Sequence, residues 1–140
     1  MSVAQAYLPQ MFAMVALSFG VALCILVTRF GDLIAGRRQA SYYEDWDGIG
    51  ASIVVMRPTR QLANLFEFPM LFHTVVVLII VLGLQDGWLP VLCWCYVALR
   101  WVHAVVHIGI NRLWIRTPIF ILSQFVLLGT WIRLGLIAFG

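Results

Sequence analysis

"PMLFHTVVVLIIVLGLQDGWLPVLCWCYVALRWVHAVVHIGI", residues 69–110, decides the fold. From Pro69 to Leu84 only His73 and Thr74 are polar; "LQDG" then turns the chain, and a second apolar run follows to Ile110. Crossing a bilayer takes about 20 predominantly apolar residues in a helix. Two such runs joined by a tight turn form a transmembrane helical hairpin. Working outward, two further runs of this length complete a set of four, expected at 9–29, 61–84, 88–110 and 117–138. Pro9, Pro58, Pro90 and Pro118 each stand at or near an expected helix start, where a missing N–H costs little.

Composition agrees. The chain has 140 residues, 63% hydrophobic and 11% charged, with a mean hydropathy of +0.97. Soluble domains run nearer half apolar and a quarter charged. The expectation is one all-α membrane domain over residues 1–140, a four-transmembrane-helix bundle whose solvent is the lipid bilayer. The first run has no basic residue before it, which reads as a spanning helix and not a cleaved signal. All nine basic residues are arginine. They sit mostly beside apolar spans, as topology signals and contacts to anionic lipid or ligand, so no nucleic-acid partner is expected.

Arg29, Arg37, Arg38, Arg57 and Arg60 flank the long connection at 30–60, and Arg112 and Arg116 flank the short third one. The second connection carries Asp86 and no arginine. The positive-inside rule then puts connections one and three in the cytoplasm and both termini outside, in the inner membrane if the host is a bacterium. Within 30–60, Tyr42, Tyr43 and Trp46 suit headgroup-level anchors, and "IGASIVVM" suits an interfacial or re-entrant cover; a solvated loop with aromatic anchors fits equally. Cys24, Cys93 and Cys95 all fall in apolar spans and are expected to pack as small hydrophobes.

Two polar stripes interrupt this apolar pattern. Arg60, Asn64 and Glu67 follow i, i+4, i+7 on the second span, so they share a helix face. Arg100, His103, His107 and Asn111 follow i, i+3, i+7, i+11 on the third. Glu67 lies about 10 Å past Arg60, while Arg100 and His103 lie about 16 and 12 Å in from Asn111, level enough to pair with it. An Arg100–Glu67 bridge serving only to hold helices together is one reading. The other is a site for an anionic ligand entering from the arginine-rich side, since intramembrane ionisable residues mark functional sites. His103 and His107 also have metal-ligand spacing, with Glu67 a conceivable third ligand. No H-E-x-x-H is present and nearby arginines oppose a cation, so no metal is expected. His73 reads as a core histidine.

The pieces "RQLANLFEFPMLF" (60–72) and "ALRWVHAVVHIGINRLWIR" (98–116) resemble the MAPEG family, membrane-associated proteins in eicosanoid and glutathione metabolism, above all a largely uncharacterised bacterial branch. The resemblance covers essentially the whole chain. It implies a homotrimer with sites between subunits, glutathione as co-substrate, and transferase or peroxidase activity on a hydrophobic small molecule. By position, Arg60, Asn64 and Glu67 would contact the glutathione backbone, with Arg100, His103 and Asn111 beside them. Arg112 and Arg116 are the candidates to hold the thiolate, and His107 the candidate base. His103 and His107 stand where the eicosanoid enzymes carry tyrosines. The alternative is a non-catalytic trimeric scaffold, or an accessory subunit of a larger membrane complex.

Overall fold

A computed structural model describes residues 2–44 and 49–140, so Trp46 lies outside the described residues. The described chain is all-helical: α1 (Val3–Ile34), a short 3-10 turn (Ala40–Tyr43), α2 (Ile53–Leu65), α3 (Phe68–Val81), α4 (Leu89–Ile108) and α5 (Leu113–Phe139). Helix α1, the pair α2–α3, α4 and α5 supply four segments long and apolar enough to cross a membrane. They form a four-helix bundle in which α1 packs on α2, α3 and α4, and α5 packs on α4 and α3.

The helices depart from their expected limits, for local reasons: α1 and α5 run past both ends and α2 starts early, while α3 stops at Val81 and α4 stays within 88–110. A reciprocal capping box, Gln5 N–H to Ser2 Oγ at 3.2 Å and Ser2 N–H to Gln5 Oε1 at 2.8 Å, starts α1 before Pro9. At its other end α1 continues past Arg29 to the buried Asp32, whose carboxylate accepts from Arg37 at 3.2 Å and from the hydroxyls of Tyr43 and Ser52 at 3.4 Å. Pro9, Pro58 and Pro118 therefore lie inside α1, α2 and α5, and of the four prolines expected at helix starts Pro90 alone sits in a first turn. "IVVM" is the first turn of α2, not a separate cover. The expected second span is two helices, broken at Phe66–Glu67 ahead of Pro69.

The bundle centre is built from Met14, Leu17, Phe72, Val75, Val76, Tyr96 and Leu127. Phe72 stacks on Tyr96 with ring centroids 4.8 Å apart. Cys93 joins this core, but Cys24 and Cys95 face outward, correcting the expectation that all three pack inside. His73 is half-buried with its ring edge-on to Phe72, and so is not a core histidine either. Outward-facing Phe12, Phe19, Val105, Trp114 and Phe125 give the bundle an apolar exterior, as expected where lipid is the solvent.

Candidate functional site

Helix periodicity turns one face of α4 inward. Leu89, Cys93, Tyr96, Arg100, His103 and His107, spaced alternately by four and three, are all buried. The lower half of that seam meets α2 and α5. There a cavity of about 200 Å³ is lined by Asn64 from α2, His103 and His107 from α4, and Arg116, Thr117 and Phe120 from α5. The two imidazoles lie 5.6 Å apart, and His103 lies 5.5 Å from the Phe120 ring. Neither histidine's Nδ1 has a hydrogen-bond partner.

Arg100 does not pair with Glu67. Its Nη2 donates to Asn64 twice, to the side-chain Oδ1 at 2.5 Å and to the backbone carbonyl at 3.2 Å, and its guanidinium lies 5.7 Å from the Phe120 ring centre. The cause is the helix break. Asn64 is in the last turn of α2, whose carbonyls have no helical successors. A cation there satisfies one of them and meets the negative end of the helix dipole. Glu67, at the break itself, is exposed and only an electrostatic neighbour of Arg100. Among the described residues the ion pairs are Arg37–Asp32 and Arg133–Asp86, both away from the cavity.

The two arginines proposed for a thiolate separate cleanly. Arg116 enters the cavity wall, and its Nη1 donates to Asn111 Oδ1 at 2.7 Å. Asn111 reaches this position through a left-handed backbone, φ 51°, a conformation that asparagine tolerates better than most residues. Arg112 is the exposed N-cap residue of α5 and lines nothing in the cavity. Arg60 is exposed on α2. Arg57, expected only as a topology signal, donates to the Gly109 carbonyl and, at 3.5 Å, to that of Ile108, closing the end of α4. Thr117 and Phe120 also escaped the sequence reading; the i, i+4 spacing of Arg116 and Phe120 was the signal that one face of α5 joins the site.

Four guanidinium groups, those of Arg116, Arg60, Arg57 and Arg100, act electrostatically on His107. Such a field attracts anions and repels metal ions. Among the described residues no group of three His, Cys, Asp or Glu side chains converges. The donors suit a carboxylate or a thiolate. Small-molecule pockets run about 300–1,000 Å³, so a cavity of about 200 Å³ in one chain takes only part of a tripeptide.

A second, apolar groove of about 650 Å³ runs along α5 and shares Thr117 with the polar cavity; Leu113, Trp114, Pro118, Ile121 and Phe125 line it. Comparison with curated proteins and with solved structures gave no match in either case. The MAPEG family model matches residues 8–136, nearly the whole chain, and the protein is a member of the MAPEG family.

Proposed function

We propose that this protein is a glutathione-dependent membrane enzyme, a transferase or peroxidase acting on lipophilic electrophiles. The observation that carries the reading is a polar cavity, lined by Arg116 and lying in the field of three further arginines, that shares Thr117 with an apolar groove. In this reading Arg116, held by Asn111, faces the thiol. A free thiol with a pKa of about 8.5 is mostly protonated at neutral pH, and an adjacent guanidinium favours the thiolate. His107 accepts the S–H proton as general base. The thiolate sulfur then attacks an electrophilic carbon, forming C–S as the bond to the leaving group breaks with its electron pair. In the peroxidase variant the sulfur attacks the terminal hydroperoxide oxygen, forming S–O as the O–O bond breaks. The alkoxide leaves with that electron pair and takes the proton from His107, and a second glutathione converts the sulfenic acid to the disulfide with release of water.

Arg60, Asn64 and Glu67 bind the peptide backbone, with Glu67 toward its ammonium group, and Arg100 and His103 close the inner wall. The apolar groove takes the electrophile's lipophilic body. Because one chain's cavity is too small for the whole tripeptide, a neighbouring subunit completes the site, as a homotrimer would allow. The arginine-rich end faces the cytoplasm and both termini face away from it.

The test is glutathione titration of protein purified in detergent, read by thermal shift and by the ultraviolet absorbance of the bound thiolate. Arg116→Ala is expected to abolish the absorbance, and Arg112→Ala to keep it. No shift and no absorbance with the unmodified protein overturns the proposal. One observation favours a second reading, the non-catalytic scaffold or accessory subunit: Arg100 Nη2 already donates to Asn64 Oδ1, joining two helices. Stoichiometric co-purification with other membrane proteins, and wild-type function after His107→Phe, would support it.

A further inference from the structure

Tyr7, Gln10, Tyr96 and Arg100 are at most 2% exposed. Yet the hydroxyls of Tyr7 and Tyr96, both amide atoms of Gln10, and Nε and Nη1 of Arg100 have no hydrogen-bond partner. Side chains buried this deeply inside one chain are out of reach of lipid headgroups and of a neighbouring subunit. Each such group left dry costs about 1–3 kcal/mol, more when charged. Together they would rival the 5–15 kcal/mol that holds an ordinary domain folded. Something inside the bundle satisfies them.

Their placement says what. Helices α1 and α4 run parallel, and Trp101 Nε1 donates to the Ala13 carbonyl at 3.2 Å, which fixes their register. Counting back at 1.5 Å per residue puts Gln10 within about 3 Å of the level of Tyr96, and Tyr7 within one turn of Cys93. Tyr7 also lines a cavity of about 180 Å³ with Ser2, Gln85, Asp86 and Pro90, at the bundle end away from the arginine-rich connections. The unpartnered groups thus succeed one another in depth along α1 and α4, from that cavity to the guanidinium of Arg100.

We infer that bound water enters from the Asp86 end and runs along the α1–α4 seam past Tyr7, Gln10 and Tyr96 to Arg100. Buried water typically makes about three hydrogen bonds to otherwise unsatisfied groups. Such a file supplies donors and acceptors alike, which a mixed set of hydroxyl, amide and guanidinium requires. It also explains how Arg100 persists in the membrane with no carboxylate partner among the described residues: Asn64 takes one nitrogen and water takes the others. The fixed positive charge ends the file, because a buried guanidinium bars protons and cations. The bundle is therefore wet inside without leaking protons into the histidine cavity.

Water-edited solid-state NMR on the full chain in proteoliposomes tests this, with carbon-13 in the tyrosines and leucines. Tyr7→Phe and Tyr96→Phe assign the two ring signals. The expected result is that Tyr7 and Tyr96 gain magnetisation from water about as fast as the loop tyrosines, Tyr42 and Tyr43, and well ahead of the core residue Leu127. Build-up as slow as that of Leu127 overturns the file. Gln10→Leu supplies the direction: Tyr96 should slow while Tyr7 stays fast. A Tyr96 signal unchanged by Gln10→Leu overturns entry from the Asp86 end.

Discussion

A cation buried at membrane depth is tolerated only with partners, and Arg100 draws its protein partner from a helix that ends where it should have continued. The Nη2–Asn64 bonds are charge-assisted and fully buried on the arginine side. Hydrogen bonds to charged groups contribute about 1.5–3 kcal/mol. Asn64→Leu, which removes the side-chain acceptor and keeps the volume, is expected to lower stability by about that amount, measured by unfolding in bicelles. Arg60→Ala, on the exposed face of the same helix, is expected to stay within about 0.5 kcal/mol of the unmodified protein while weakening glutathione binding in the thermal-shift titration. Equal losses of stability in the two variants would contradict this division of roles. The stripes themselves were legible in the sequence, because 3.6-residue periodicity puts Arg100, His103 and His107 on one face whatever the packing. Which arginine joins them was not. That depends on the rotation of α5, set by the left-handed turn at Asn111, and spacing alone does not separate Arg112 from Arg116.

The element that shapes the site is the break between α2 and α3. Pro69 offers no N–H to the carbonyl of Leu65, and its ring disfavours helical backbone at Phe68 and the turn before it. Without that interruption Asn64 would bond its carbonyl up the helix, and Arg100 would lose one acceptor. Pro69→Ala is expected to leave the bundle folded, with unchanged circular dichroism, and to lower the glutathione-induced thermal shift. The same shift in both proteins would mean that the break does not position the site. Four apolar runs made the four crossings readable from sequence, since nothing else accounts for so much hydrocarbon surface. Their ends were less readable. Proline predicts a helix start only where no better cap competes. At α1 the Ser2–Gln5 box starts the helix first, and Pro9 is carried inside. The expected bridge from Glu67 to Arg100 failed for a related reason: helical spacing was extended through a break that turns Glu67 outward.

At the scale of the whole bundle, the end opposite the arginine-rich connections is held by one carboxylate. Asp86 Oδ1 accepts the backbone N–H groups of Trp88 and Leu89, both at 2.9 Å, and so opens α4. Its Oδ2 accepts Arg133 Nη2 at 2.6 Å and Nε at 3.2 Å, tying the α3–α4 turn to the last third of α5. The Arg133 hydrogen bonds, joined by the two backbone N–H groups, hold the Asp86 carboxyl below the usual aspartate range against the opposing effect of burial. A carboxyl whose folded pKa is depressed stabilises the fold fully above its unfolded value, about 3.9, and loses that contribution as pH falls through the lower folded value. The bundle's melting temperature is therefore expected to be insensitive to this group from neutral pH down to about pH 5, and to fall below about pH 4. Asp86→Asn should lower the melting temperature at neutral pH and flatten part of the acid limb, because the amide no longer carries charge for Arg133 and has nothing left to protonate. Arg133→Gln should also lower it at neutral pH, but keep a smaller acid dependence from the two backbone donors that remain. An acid limb identical in all three proteins would show that the Asp86–Arg133 clasp does not hold the turn onto α5, and that the bundle end is closed by apolar packing alone.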